Sequence, residues 1–160
     1  MGAPRAKRVG GAQPGAERPI IDDGRCFACG PFNADGLHLH FVPDGEGSVS
    51  AEITLPPRFQ GWRSVAHGGI VMTLLDEAMA HACGALGLRA VTASLSMRFR
   101  APVPLGKRLV VRGALKWRRR KVLALEASVE LNGEVLAEGE GSFVARGELG
   151  AEPLGAPSRA

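Results

Sequence analysis

One stretch of helical periodicity stands alone among segments of period two, and that imbalance limits the folds open to the chain. From Gly68 to about Leu86 the apolar residues Ile70, Val71, Leu74, Leu75, Ala78, Met79, Ala82, Cys83 and Leu86 recur at helical spacing. They cover much of the circumference, so this helix is expected to be buried on most sides. Elsewhere apolar residues alternate with others. Leu37, Leu39 and Phe41 precede the turn segment Asp44-Gly45-Glu46-Gly47, and Val49, Ala51, Ile53 and Leu55 follow it, which predicts a hairpin. Leu55-Pro56-Pro57 ends the second strand, because proline cannot donate to the ladder, and a loop from Arg58 to Ala66 follows.

Beyond Gly87 four more period-two segments are expected. Val91, Ala93, Leu95, Met97 and Phe99 are read as facing inward, with Thr92, Ser94, Ser96, Arg98 and Arg100 facing the other way. Leu109, Val111, Gly113, Leu115 and Trp117 mark the next strand, and Leu123, Leu125, Ala127, Val129 and Leu131 the one after. Asn132-Gly133 is a two-residue hairpin signal leading into a last strand at roughly 134–146, where Gly139 and Gly141 mark a bulge or a close backbone approach. The order is ββαββββ. With no second helix to cover the first, an antiparallel sheet must wrap around it, giving an α+β fold.

The 160 residues fit one domain, read as 21–146. Residues 1–20 and 147–160 are rich in Gly, Ala and Pro without periodicity and are expected to be flexible tails. No apolar export segment or lipid-anchor signal is visible near the start. The longest apolar stretch, Val65 to Leu88, is interrupted by His67, Asp76, Glu77 and His81 and is expected not to cross a bilayer. Three cysteines, an odd number, argue for a reducing compartment, read as the cytoplasm. A formal net charge of +4 favours an anionic ligand.

Chemistry concentrates in VAHGGIVMTLLDEAMAHA. The first N–H groups of a helix lack internal partners, and glycine lets a ligand approach them, so Gly68 and Gly69 can hold a developing oxyanion. Asp76 falls near Met72, Met79 and Cys83, whose apolar surroundings should raise its pKa and make it a better base. It can deprotonate water for attack on a thioester carbonyl, or attack directly to form a mixed anhydride. Gly68 and Asp76 lie eight residues apart on one helix, roughly 12 Å at about 1.5 Å per residue. One carbonyl cannot touch both, so a shared substrate requires two helices side by side about a two-fold axis, and hence a dimer.

The HGG turn, the aspartate nine residues after its histidine and the ββαββββ order resemble the PaaI-like branch of the hotdog-fold acyl-CoA thioesterases, over roughly Cys26 to Arg146. The segment CFACGPFNADGLHLHF is similar to the CFxCG opening of one bacterial subgroup of that family. The resemblance implies a hotdog fold, Gly68 as oxyanion donor, Asp76 as base or nucleophile, and Thr92 as the residue that positions the carboxylate or the water. An Asn or Gln that orients water in some relatives has no clean counterpart, Gln60 standing at a different offset.

Other residues have plainer roles open to them. His67 can bond its own loop or the substrate carbonyl, or simply open the helix. Glu77 reads as solvated or at an interface, His81 as packed or at an interface, and Cys83 as core. Cys26 and Cys29 form a CxxC that His38 and His40 could complete as a zinc set, but the spacing is not a standard one, so no metal and no cofactor are assigned. The basic cluster around Lys116, Arg118, Arg119, Arg120 and Lys121 is either a solvated loop or, with Arg98 and Arg100, a site for coenzyme A phosphates; Arg98, Arg100, Arg119 and Arg120 are the binding candidates, with Gly69. Aromatics are 5% of the chain and no helix-turn-helix or zinc module accompanies the charges, which excludes nucleic acid.

The expected function is therefore acyl-CoA thioester hydrolysis by a homodimer or a dimer of dimers, with no nucleic-acid or membrane partner. The alternatives are a hotdog acyl-CoA dehydratase or hydratase, with His67 and a carboxylate as the acid–base pair, and a non-catalytic acyl-CoA binding module.

Overall fold

The structure, a computed structural model, describes residues 20–150. Strands β1 (Val42–Gly45) and β2 (Ser48–Thr54) precede a 3-10 turn (Pro57–Phe59) and helix α1 (Gly68–Ala85). Strands β3 (Leu88–Phe99), β4 (Arg108–Arg119), β5 (Val122–Leu131) and β6 (Glu134–Glu148) follow. All six strands form one antiparallel sheet in the order β1-β2-β4-β5-β6-β3. The helix lies against β2 through β6, burying Val71, Leu74, Leu75, Ala78, Met79, Ala82 and Cys83. This is the wrapped single helix that the sequence pattern predicts.

It passes close to the sheet at Gly113, where a Cβ would stand 2.3 Å from the Ala78 carbonyl oxygen. Only glycine leaves room for a helix at that distance. The helix ends where glycine allows it: Leu86 N–H bonds Cys83 O, Gly87 N–H bonds Gly84 O, and Gly87 turns left-handed at φ 73°. Asn132 and Gly133, at φ 53° and 84°, make the expected type I′ hairpin turn between β5 and β6.

Four expectations need correction. Leu37, Leu39 and Phe41 are buried as their alternation implies, but they are not in a strand. Leu37 and Leu39 instead donate their N–H groups to the carbonyls of Phe27 and Ala28, and β1 begins only at Val42. Trp117 is exposed, because the β4–β5 register shifts between Leu115 and Trp117 and reverses the alternation there. A similar shift in β3, between Thr92 and Ser94, reverses its faces. Ala90 packs on the core before the bulge and Leu95 and Met97 after it, while Ala93 is exposed, so Thr92 turns toward the helix rather than away from it. β6 runs two residues past its expected end, to Glu148, and most of the two expected tails lies outside the described residues.

Candidate active site

His67 is the N-cap of α1, and its Nδ1 accepts a hydrogen bond from the Gly69 N–H at 3.0 Å. Of the next amides, those of Ile70 and Val71 donate to the His67 carbonyl. Of the first four N–H groups of the helix, that of Gly68 is therefore left without an acceptor among the described residues. The two-glycine donor pair read from the sequence narrows to Gly68, since the Gly69 N–H is engaged by the histidine. His67 thus bonds its own turn. The Phe99 ring lies over Gly68, where an added Cβ would meet Phe99 Cζ at 3.3 Å. Gln60 Oε1 accepts from the Ser64 N–H within its own loop.

Asp76 stands two turns along α1, half-buried. Burial pushes its carboxyl above the usual 3.8, a hydrogen bond from Thr92 pulls it down, and the neighbouring Glu77 charge pushes it up, with a net rise. The Thr92 hydroxyl donates to Asp76 Oδ1 at 2.7 Å. The bulge after Thr92 makes this contact possible: without it, the residue would share the outer face with Arg98. The helix, with Gly68 at its start and Asp76 near its middle, is unbroken between the two, so the roughly 12 Å separation stands.

The arginines lie elsewhere in the chain. Arg98 lines a cleft of about 880 Å³ on the outer face of the sheet, with Arg112, Glu126, Glu138 and Glu140. Arg100 is paired with Glu138 at 2.5 Å. Arg119 and Arg120 are exposed at the β4–β5 turn, level with Val91 through Val122 and Val144, three strands or about 14 Å away across the sheet. Arg98 and Thr92 therefore do not share one face, and Arg119 and Arg120 stand three strands away.

Glu77 departs most from its expected role. Its side chain is only 15% exposed; it accepts from the Cys26 thiol at 3.6 Å and faces His81 Nε2 at 3.3 Å. Burial alone would push its carboxyl up, but the His81 imidazole and the two thiols outweigh that and hold it below its ordinary value. His81 is packed as expected, its ring stacked on Phe41, and Cys83 is fully buried, its thiol pushed by burial up to about 12. The Cys29 thiol beside it, opposed by burial, brings the Cys26 thiol down to about 6, while the Cys26 sulfur and burial push Cys29 up. His38 and His40 are exposed and take no part in this group. Nothing in the sequence pattern placed Glu77 beside a cysteine 51 residues away. No helix among the described residues is long and apolar enough to cross a membrane.

The family model of the thioesterase superfamily matches residues 64–138, which include the HGG turn, α1 and Thr92. A solved thioesterase superfamily protein is similar at 29% identity, over 82% of this chain and 68% of that one, with a TM-score of 0.72. The PaaI protein of the E. coli phenylacetic acid degradation operon is similar at 21% identity over 71% of this chain and 83% of its own, with a TM-score of 0.66. A hypothetical thioesterase of Streptococcus pneumoniae TIGR4, solved with coenzyme A, is similar at 18% identity over 70% and 91%, also at 0.66. Solved variants of that protein carry alanine in place of an aspartate and of a threonine sixteen positions apart. A search of the curated proteins gives no match. The matched segment is similar to the thioesterase superfamily, and the chain has the hotdog fold of these neighbours.

Proposed function

We propose that the chain hydrolyses acyl-CoA thioesters, as a homodimer whose two sites each combine the HGG turn of one subunit with Asp76 of the partner subunit. The observation that carries this reading is the Asp76–Thr92 pair: a half-buried carboxyl, raised by desolvation and steadied by a hydroxyl, on the same helix as an uncommitted Gly68 N–H. The pair is separated by sixteen positions, the spacing of the aspartate and threonine replaced in the S. pneumoniae thioesterase. That protein's coenzyme A also supports the substrate class.

In the reaction, the thioester carbonyl oxygen accepts from the Gly68 N–H, which stabilises the negative charge that develops there. Asp76 takes a proton from water as the new C–O bond forms, and the C–S bond then breaks, with the proton passing to the departing thiolate. In the variant route the Asp76 carboxylate attacks the carbonyl itself, and water cleaves the resulting anhydride. The exposed guanidiniums of Arg119 and Arg120, with Arg98, are proposed for the coenzyme A phosphates. Arg100, tied to Glu138, contributes least.

The edge strand β3 supports the proposed dimer. This strand is 12 residues long and ends the sheet, with no strand on its other side among the described residues. A long unpaired edge is a template for pairing, and the same edge of a second copy would bring two α1 helices together in opposite directions.

The test is thiol release over a panel of acyl-CoAs, with sedimentation on the same sample. Release by a dimer is expected. Hydration of an enoyl-CoA without thiol release, or binding of acyl-CoA without turnover, would replace the proposal with one of its rivals, and a fully active monomer would end the two-subunit site. Single turnover in heavy-oxygen water tests the anhydride route: label in the Asp76 carboxyl marks an anhydride that water opens at the Asp76 carbonyl.

A further inference from the structure

The Cys26-Phe27-Ala28-Cys29-Gly30 turn and one face of α1 meet in a group of metal-ligand atoms that the thioester chemistry does not use. Cys26 Sγ, Cys29 Sγ and a Glu77 carboxylate oxygen all lie within 4.8 Å of one another, the only such group among the described residues. From this geometry we infer that the chain binds one zinc ion at Cys26, Cys29 and Glu77, with His81 Nε2 as the fourth donor, as a structural clamp between its first loop and its central helix.

The turn has the construction that a thiolate pair requires. The Gly30 N–H bonds the Cys26 carbonyl at 2.9 Å, and a Cβ on Gly30 would stand 2.4 Å from Cys26 N, so only glycine closes it. The Ala28 N–H points at Cys26 Sγ at 3.4 Å, a backbone donor aimed at the sulfur. Zinc–sulfur bonds of about 2.3 Å and zinc–oxygen bonds of about 2.0–2.2 Å set tetrahedral edges of roughly 3.5–3.8 Å. The separation of Cys26 Sγ from Glu77 Oε1, 3.6 Å, already has that length.

His81 supplies the second, independent observation. Its side chain is 10% exposed and its Nε2 faces Glu77 Oε1 at 3.3 Å, an ion-pair contact that falls short of hydrogen-bond geometry. Stacking on Phe41 fixes the ring one helical turn beyond Glu77, on the same face. The Nε2 lone pair, beside Glu77, is the donor that would complete the set. Two thiolates, a carboxylate and an imidazole suit zinc over harder cations, and four protein donors make a closed, structural site.

Binding displaces the two thiol protons to solvent and closes a loop of 51 residues, from Cys26 to Glu77. Glu77 follows Asp76 directly, so the clamp fixes the helix beside the proposed base without touching substrate.

Zinc content by mass spectrometry, after exposure to zinc and gel filtration, is expected at about one ion per chain. It should be lost in Cys26→Ser/Cys29→Ser and kept in Cys83→Ser. Glu77→Gln should surrender zinc to a chelating dye with an affinity at least tenfold weaker. Because the double variant could misfold, two measurements use the wild-type protein. Cobalt substitution should give thiolate-to-metal charge-transfer bands with tetrahedral d–d intensity, and a thiol-specific mercurial should release the zinc. Sub-stoichiometric zinc, retention by the double variant, unchanged affinity in Glu77→Gln, cobalt spectra without thiolate bands, or no mercurial release would each overturn the site, whatever the esterase assays show.

Discussion

The Thr92 hydroxyl lies 2.7 Å from Asp76 Oδ1 and donates a hydrogen bond to it, joining the edge strand of the sheet to the central helix. Two opposed influences meet on that carboxyl. Desolvation favours the protonated form and the hydroxyl favours the carboxylate, and desolvation prevails. The result is a carboxyl that binds its proton more tightly than an exposed aspartate and is held in one orientation.

Asp76→Asn keeps an oxygen for Thr92 to donate to while removing the base. Thiol release should fall by about 10²- to 10⁴-fold, the range for a positioned general base. Stability should move the other way. Because the folded carboxyl has a pKa above 3.8, the folded chain binds this proton more tightly than the unfolded one. The native state therefore loses stability as pH rises from 3.8 through the raised value and the buried group ionises. At neutral pH the Asn variant should melt above the wild type; below pH 3.8 the gain should vanish. A lower melting temperature at neutral pH would show that Asp76 is not held against its burial.

Much of this was legible before any coordinates, and the failures share a cause. Asp76 was readable because its helix is apolar on most sides, so a carboxylate there had to be desolvated. The HGG turn and Asn132-Gly133 were readable because their geometry is local. The face of Thr92 was not legible, because a bulge at Ala93 leaves the Thr-Ala-Ser alternation unbroken in the sequence. Glu77 was misread because its surroundings come from a loop 51 residues earlier, and Leu37 because its partner is that same loop rather than β2. Bulges and long-range closures leave no periodic trace.

Thr92→Val removes the one influence that lowers the Asp76 pKa. The carboxyl should rise further, so the acid limb of the pH dependence of kcat/KM should move to higher pH, with a fall of about tenfold in kcat at neutral pH for the lost hydrogen bond, roughly 1.4 kcal/mol. Thr92→Ser, which keeps the donor, should leave the limb in place. An unmoved limb in the Val variant would mean that Thr92 acts on packing alone.

His67→Ala leaves the Gly69 N–H without its cap, at a cost of about 0.5–2 kcal/mol. His67→Asn, whose side-chain oxygen can accept the same bond, should recover most of it. Urea midpoints measure both. If alanine is as stable as histidine, the 3.0 Å contact contributes nothing to the start of the helix.

Gly113→Ala tests how the sheet holds the helix. The added Cβ would stand 2.3 Å from the Ala78 oxygen, 2.5 Å from its carbonyl carbon and 3.0 Å from its Cβ, and backbone cannot rotate aside as a side chain can. Either β4 or α1 must shift, at a cost of about 3 kcal/mol or more, the upper end for overpacking. Ala78 lies two residues beyond Asp76, so a displaced helix also draws Asp76 Oδ1 away from Thr92. Activity per folded molecule should therefore fall together with stability. Gly139→Ala is the control: its Cβ would meet nothing nearer than the Ser96 oxygen at 3.3 Å and Leu75 Cδ1 at 3.4 Å, so it should cost less than half as much. Equal costs at the two positions would mean that the helix does not rest on β4 at Gly113.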